Sequence, residues 1–591
     1  MGDLNGIYIP INLYMIGYLE RYILVAEKPS VARELRRFCR FKGIDAITTS
    51  VRGHIYNLDF PRRYGWGKIN PEKLFDLIDE IRFVLIDKKS YHNLRRIFTS
   101  FKDYILVIAT DNDSEGELIG YEILRIYQDV RGGEPKYYRM RFNSLDFKEL
   151  YRAWMNKEDT LNWRWVNKAL FRTYFDLVTG AAFTRLLTSS GDGKLISWGS
   201  CQTPTLYFVV ERERIRKSFK REKYFYISVE VSKDGRTVSL NSQHFKKRKE
   251  AEYWLNEIRE AGYLTVSKYA KERFGERRPL PLNTDYMLRD LTKILGIGSL
   301  EILNIAEDLY SRGYISYPRT ETDKYPKTFD FDTPYKAITK SDINHLLVFI
   351  KGFPRPTPRP REGRRDDRAH PPIYPVKPYP RDNSKHWLIW EYIARRFLAN
   401  VYSEDAFGFK QMVEARYGEV VFKGNGRYYA YEGFYKVYPY FRSKDNPIPE
   451  FEEGEKVKII KAEVKTGYTE PPPRLSEADL LKMMEDHGIG TDATRATYPK
   501  IIQRRKYAVK RSGRFIPSKL GMRFIEALEE VDKRLVTPET RRYVEEMMRK
   551  IEEGEISMEE ALREAIRIYR SLFTILKNKR NYVEQLLKEE S

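Results

Sequence analysis

Apolar positions along the chain change period several times, and each change predicts a different element. Tyr22 to Ala26 (YILVA) is a continuous apolar run; beyond Glu27, Val31, Leu35 and Phe38 recur at helical spacing, with Ser30 as the expected cap. The pattern repeats at Tyr104 to Thr110 (YILVIAT), where an uninterrupted run ends at DNDSEGE and Leu118, Ile119 and Ile123 follow. Two such strand, loop and helix units predict a parallel sheet with helices around it. Functional groups in such sheets gather at the carboxyl ends of the strands, so Glu27, Asp111, Asp113 and Glu115 are expected to converge.

From Leu150 to Thr188 the period is helical, whereas Tyr224 to Val231 alternates like a strand and the alternation resumes from Phe407 to Val464. The stretch 281–404 between them is mostly helical, which predicts one domain interrupted by another. Within it, Phe353 to Pro380 is crowded with Pro and Arg and reads as a surface loop. Near the end, Ser476 and Asp479 form a capping-box start to a helix that stops at Gly488-Ile489-Gly490, and a second helix is expected from about Thr491. YAVK, RSGR and FIP then predict a hairpin. Helix, turn, helix and hairpin make a winged-helix pattern, common in nucleic-acid binders.

Composition narrows the partners. With 591 residues and 41% hydrophobic content the chain can fill several cores. Lysine and arginine number 106 against 84 acidic residues, a net charge of +22 that favours a polyanion. Nucleic acid is expected rather than membrane, because no apolar run of about 18 residues exists and Pro10, Asn12, Glu20 and Arg21 break the N-terminal stretch. That stretch lacks a basic leader, so secretion is not expected, and Met15 is a candidate start. Cys39 and Cys201 make neither a disulfide framework nor a zinc site; both read as buried small side chains in a reducing cytoplasm. No Walker A motif occurs, so ATP use is not expected.

Two constellations can carry chemistry. The DxDxE set of Asp111, Asp113 and Glu115 offers clustered hard oxygens suited to Mg²⁺, and a cation there relieves carboxylate repulsion; the plainer alternative is a solvated acidic turn. In YISYPRTET, residues 314–322, Tyr317 is an oxygen nucleophile two residues from the phosphate-binding fork of Arg319. Alone, Tyr-Pro-Arg is commonly an ordinary turn. It gains weight from its company.

Several segments, in chain order, resemble motifs of type IA DNA topoisomerases of the topoisomerase III kind. VAEKPSVAR, SVRGHIYNLDFP and DNDSEGE are similar to that family's toprim motifs, SWGSCQTPTLYFVVERE to its next stretch, and GYISYPRTET to its active-tyrosine segment. DDRAHPPIYP and PPPRLSEADLLKMMEDHGIGTDATRAT are similar to two later motifs, so the resemblance covers roughly residues 22–520. It implies a multidomain α/β and α+β fold: a toprim domain, winged-helix-bearing domains and a strand-rich arch forming a torus. The implied domains are toprim (15–150), a helical DNA-binding domain in two parts (151–215 and 471–591), the arch in two parts (216–280 and 405–470) and the active-tyrosine domain (281–404).

The resemblance further implies Mg-dependent, ATP-independent cleavage of one strand through a 5′-phosphotyrosine on Tyr317, strand passage and religation, with relaxation and decatenation as outcomes. Glu27 matches the proton donor to the leaving oxygen, Lys28 a phosphate-stabilising cation, Arg319 the transition-state clamp and His370 a histidine near the scissile phosphate. Asp111, Asp113 and Glu115, with Glu27, match the magnesium set. Arg172, Asp176, Gln202 and Thr494 match DNA-contacting positions, and His54 is assigned to toprim structure. Departures are Asn112 and Ser114 where Pro and Arg are usual, Ser200 and Cys201 where Arg-Val is usual, and Glu307 and Ser311 where Gln and Glu often stand. The implied partner is DNA, single-stranded or negatively supercoiled, with a helicase as a further candidate; a monomer in the cytoplasm, associated with the nucleoid, without zinc, is expected. The rivals are a catalytically silent single-stranded DNA-binding paralogue and a toprim nuclease or primase.

Overall fold

The computed structural model describes residues 20–188, 195–491 and 494–588, so the candidate start at Met15 lies outside the described residues. The chain divides into two compact units, one of residues 1–59 and 82–170, the other of 60–81 and 171–591.

The first unit is the expected α/β layer. Strands β1 (Arg21–Ala26), β2 (Ala46–Ser50), β5 (Tyr104–Ala109) and β6 (Tyr137–Arg139) form a sheet in the order β2-β1-β5-β6. All three pairings are parallel. Helices α1 (Pro29–Lys42), α2 (Lys88–Ser100), α3 (Ser114–Arg131) and α4 (Phe147–Met155) accompany it, and β3 (Tyr56–Asp59) pairs with β4 (Arg82–Leu85) as a separate ribbon. The apolar runs are central strands for the expected reason: Ile23, Val25, Leu106 and Ile108 are fully buried against Ile119 and Ile123 of α3. Ser30 is not the cap of α1. Pro29 occupies the first turn and Lys28 is the N-cap, because the fixed φ of proline already starts the helix there.

A buried ion pair fixes the far end of this sheet. Arg139 and Glu117 are both 0% exposed, with Nε donating to Glu117 Oε1 at 2.7 Å. Arg139 Nη1 donates to the Thr110 and Met140 carbonyls at 3.0 and 2.8 Å, and Nη2 to the Asp111 carbonyl at 2.8 Å. The arginine thereby holds the chain as it leaves β5.

In the second unit, α5 (Trp163–Thr188, whose first turns belong to the first unit) and α6 (Gln202–Ser218) lead into β7 (Lys223–Lys233), β8 (Arg236–Ser242), α7 (Arg248–Ala261) and β9 (Tyr263–Glu276). Helices α8 (Thr284–Leu295), α9 (Ser299–Ser311), α10 (Asp332–Thr339) and α11 (Lys385–Val401) interrupt, and β10 (Ala406–Tyr417), β11 (Val420–Tyr431) and β12 (Lys456–Tyr468) resume. The six strands close into a barrel in the order β10-β11-β8-β7-β12-β9, filled by Ile227, Val229, Leu240, Val266, Val413 and Phe422. Residues 60–81 count with this unit: Phe75 packs edge-on against Phe573, and Asp76 pairs with Arg570.

The carboxyl-terminal part contains α12 (Glu477–Asp486), α13 (Tyr498–Arg504), the hairpin β13 (Ala508–Arg511) and β14 (Arg514–Pro517), then α14 (Lys519–Val531), α15 (Pro538–Glu553), α16 (Met558–Asn578) and α17 (Arg580–Lys588). The Ser476–Asp479 capping box is present in both directions. The second helix starts at Tyr498 rather than near Thr491, because a turn and a short 3-10 segment (Arg495–Thr497) come first. The Pro- and Arg-rich stretch is irregular as expected, but only its first part lies at the surface: His370, Ile373, Tyr374, Val376 and Tyr379 are buried. Both cysteines are buried. Among the described residues no helix is long and apolar enough to cross a membrane.

Replacing Arg139 by Met is expected to lower stability by about 3 kcal/mol, the low end for a broken buried pair, since Glu117 keeps only the partly exposed Arg141, at 2.5 Å, as its charge partner. Urea unfolding checks this, and Arg139→Met combined with Glu117→Met is expected to recover part of the loss.

Candidate active site

One cluster of functional side chains lies at the carboxyl ends of the two inner strands of the α/β unit. The register sets Ala26 beside Ala109, so the residues that follow each strand emerge together. Glu27 Oε2 accepts from the Asp111 backbone N–H at 3.3 Å, and Lys28 Nζ lies 3.1 Å from Asp111 Oδ2. Burial, reinforced by the negative charge of Asp111, pushes the Glu27 carboxyl up to about 8. Asp113 is the N-cap of α3, with Oδ1 accepting from the Gly116 N–H at 2.7 Å. Residue 116 must be glycine, for a Cβ there would sit 2.0 Å from the Asp111 carbonyl oxygen.

His54 does more than support the fold. Its Nε2 lies 3.1 Å from Glu115 Oε2 and its Nδ1 2.8 Å from Glu122 Oε1, while the Ile55 and Tyr56 N–H groups donate to the other oxygen of Glu122. Burial alone would depress the imidazole, but hydrogen bonds to the two glutamates lift it to about 10, and the ring is placed to orient Glu115. The carboxylates of residues 27, 111, 113 and 115 offer the kind of hard oxygen that Mg²⁺ prefers. Among the described residues no three His, Cys, Asp or Glu side chains are already gathered at ligating distance. Such an ion keeps several waters and needs only one or two direct carboxylates, so the donor chemistry fits.

A second cluster surrounds Tyr317. Helix α9 ends before Gly313, whose φ of 76° turns the chain into an extended segment. The Thr284 hydroxyl accepts from the Thr320 N–H at 2.8 Å and donates to the Pro318 carbonyl at 2.8 Å. On the other side the Ser316 N–H donates to the Tyr374 carbonyl at 3.0 Å. Tyr317 is buried, its ring 5.0 Å from that of His370 at 29° and edge-on to Tyr310 at 5.1 Å. Arg319 donates through Nε to Glu307 Oε1 of α9 at 2.8 Å, so the departure at Glu307 supplies the carboxylate that aims the guanidinium.

Asp367 organises this cluster. Its Oδ1 accepts from the Ala369 and His370 N–H groups at 2.9 and 2.8 Å; its Oδ2 accepts from Thr320 Oγ1 at 2.8 Å and lies 3.1 Å from His370 Nδ1. Burial would raise its carboxyl, but the side-chain and backbone hydrogen bonds from His370 and the imidazole's charge hold it well below the usual range.

A third cluster in the same unit joins residues from four parts of the chain. Arg172 and Asp176 lie one turn apart on α5. Arg541 of α15, 1% exposed, donates from Nη1 to Asp176 Oδ1 at 3.0 Å and to Ser200 Oγ at 2.8 Å, and from Nε to Glu545 Oε1 at 2.8 Å. Glu545 in turn accepts from the Gly490 N–H at 3.1 Å. A guanidinium is thus present where Ser200 departs from the usual arginine, delivered by a distant helix. Cys201, the residue capping the start of α6, is a buried thiol, pushed up to about 12 by burial. Gln202 is buried and gives its carboxamide to the Ser197 carbonyl at 2.9 Å, so it shapes this turn from within and is not presented at the surface. Thr494 Oγ1 accepts from the Thr491 N–H at 3.0 Å, closing the turn after Gly490.

Sequence reasoning missed Arg541, Glu122 and Asp367. Asp367 stood in the quoted DDRAHPPIYP, whereas Glu122 and Arg541 sit in helices where a charge reads as solvated surface.

The comparisons agree with the geometry. Residues 160–563 match the family model described as DNA topoisomerase, and residues 22–145 match the Toprim domain model. DNA topoisomerase 3 of Candidozyma auris is 32% identical over 609 residues, spanning 94% of this chain and 93% of that protein. DNA topoisomerase 3-beta-1 of Homo sapiens is 31% identical over 611 residues, 94% of this chain and 69% of that one. The solved structure of full-length topoisomerase I from Thermotoga maritima shares the fold, with a TM-score of 0.73 at 23% identity over 93% of this chain and 90% of the other. A Toprim unit followed by the topoisomerase region, matched nearly end to end by a topoisomerase 3, shows that the chain belongs to the type IA DNA topoisomerases and is topoisomerase III-like.

Proposed function

We propose that this topoisomerase cuts one strand of single-stranded or negatively supercoiled DNA through Tyr317, holds the end as a 5′-phosphotyrosine, and reseals it without ATP. The observation that carries this reading is the cluster in which Tyr317 stacks on His370 and Arg319 is aimed by Glu307.

Tyr317 Oη gives up its proton to solvent and attacks the phosphorus, and the bond from phosphorus to O3′ breaks, so the new ester retains the energy that religation uses. Arg319 neutralises charge on the phosphoryl oxygens in the transition state, and His370, fixed by Asp367, presents its ring beside the nucleophile. A carboxyl raised as far as that of Glu27 keeps a proton near neutrality and can give it to the departing O3′, then take it back on resealing. Lys28 places a second cation beside the acidic set. Asp111, Asp113 and Glu115, with Glu27, would hold Mg²⁺, which supplies positive charge that fixes DNA phosphates. Arg172 and Thr494 contact the DNA backbone, and Asp176, anchored by Arg541, lies close by.

Tyr317→Phe is expected to lower plasmid relaxation at least about a thousandfold while single-stranded DNA binding changes less than about threefold, read by gel mobility and fluorescence anisotropy. Relaxation by Tyr317→Phe at the wild-type rate would sink the assignment. Asp113→Asn retains a helix cap, so the fold is expected to survive while the Mg²⁺ concentration for half-maximal relaxation rises on the order of tenfold. Because Asp367 is depressed in the folded state, its contribution to stability is full above the ordinary carboxylate pKa of about 4 and is lost as pH falls below it. Thermal midpoints from pH 6 to about pH 2 should therefore fall less steeply in Asp367→Asn than in wild type.

A further inference from the structure

The sheet formed by β9, β10 and β11 runs on past the point where the barrel closes. Strand β12 pairs with β9 only at residues 263–265, and β8 pairs with β11 only at Phe422 and Lys423, whereas β10 stays paired with β9 out to Ala406 and with β11 out to Phe407. The outer part is a three-stranded tongue. One of its faces is packed: Phe274 meets Tyr429 edge-on at 5.4 Å, Arg427 lies 4.2 Å over Phe274, and the Tyr429 and Tyr435 hydroxyls both donate to Glu276.

The other face continues the side that lines the barrel core at Val413, Ala415 and Phe422, since directly paired residues share a face and alternate along each strand. Past Gln411, which is buried on this face and hydrogen-bonded to Ile448, these positions lose their apolar cover, and the chain fills them with rings and cations. Phe409 pairs with Tyr428 on one side and Arg273 on the other, and Phe407 pairs with Tyr431. The ring centroids are 5.7 Å apart for Phe409 and Tyr428 and 5.8 Å apart for Phe407 and Tyr431. Arg273 stands 4.3 Å from the Phe407 centroid, and Lys271, also paired with Glu450, stands 5.0 Å from Phe409 and 6.0 Å from Tyr428. Tyr431 is 38% exposed, and Phe407, Phe409 and Tyr428 are half-buried.

We propose that this face, remote in sequence from Tyr317, is a stacking platform on which bases of a single nucleic-acid strand lie, with Lys271 and Arg273 meeting its phosphates. Every base has a π-face, so aromatic side chains set in a basic surface bind single strands without reading sequence. Phe407 and Phe409 are two residues apart on one strand, about 6.8 Å, which is twice the 3.4 Å rise of a stacked nucleotide, so the two rings suit alternate bases of a stacked strand. An apolar partner is a poorer occupant: each ring pair already carries a cation, and burying those cations under hydrocarbon would strip their water with nothing in return.

The test uses the full chain carrying Tyr317→Phe, so that no strand is cut and the result does not depend on the cleavage reading. A thirty-nucleotide oligo(dT) containing 5-iododeoxyuridine is bound and irradiated, and adducts are mapped by mass spectrometry. Adducts are expected within residues 406–431, and adding Phe407→Leu with Phe409→Leu should remove them and weaken binding about tenfold with the thermal midpoint nearly unchanged. Should that double variant not fold, Lys271→Gln with Arg273→Gln is expected to flatten the dependence of log Kd on log salt by roughly 0.7 for each phosphate that is no longer neutralised. Strong binding with every adduct outside residues 263–276 and 406–431, or an unchanged Kd in the folded leucine variant and an unchanged salt slope in the glutamine variant, would overturn the proposal.

Discussion

A guanidinium cut off from water needs partners for its protons and for its charge, and at Arg139 both are met by the segment from Thr110 to Glu117 together with the neighbouring Met140. Glu117 supplies the charge, and the carbonyls of Thr110, Asp111 and Met140 take three more of the protons. Glu117 also accepts from the Asn162 N–H at 2.9 Å, so the same pair ties the start of α5 to the end of β5. The backbone of Asp111 is thus fixed from behind while its side chain faces Lys28, and Asp113 and Glu115 follow on a helix whose first turn is pressed against that carbonyl through Gly116. The acidic set is rigid because a buried charge lies beneath it, and only together do the two explain why so much repulsion is tolerated at one strand end.

The same logic recurs around Tyr317 and Asp176. In each case a charged group that touches no predicted reacting atom orients one that does: Asp367 fixes His370, Glu307 fixes Arg319, and Arg541 with Glu545 joins α5, the turn at Ser200 and the turn at Gly490. Precision of this kind cannot come from apolar packing alone, which sets distances well but hydrogen-bond directions poorly.

What is legible from sequence follows from strictly local physics. YILVA and YILVIAT read as central strands because an unbroken apolar run has only a buried interior to occupy, and the Ser476–Asp479 box and the Ala508–Pro517 hairpin are readable because each is closed within ten residues or so. Ser30 reads as a cap and is not one, since proline starts a helix without it. The stretch 353–380 reads as surface because proline excludes regular elements, yet its second half is buried by hydrogen bonds to the tyrosine segment that no local pattern announces. Arg541 is illegible for the same reason. In ETRRYVEEMMRK it resembles every other exposed helix charge, and its partner Asp176 is 365 residues away.

The barrel is built from two stretches of chain, with the whole tyrosine-bearing region inserted between β9 and β10, and those two strands pair along nearly their entire length. The insertion is therefore a loop closed at its neck by a continuous ladder of backbone hydrogen bonds. Closing so long a loop is entropically slow, although each doubling of its length adds only about 0.6 kcal/mol, so the barrel is the element that waits during synthesis. When β10 leaves the ribosome, the segment carrying Tyr317 has already emerged and can have folded first; zipping β10 onto β9 then locks a finished module in place, and the last strands to arrive decide when the nucleophile becomes part of the molecule.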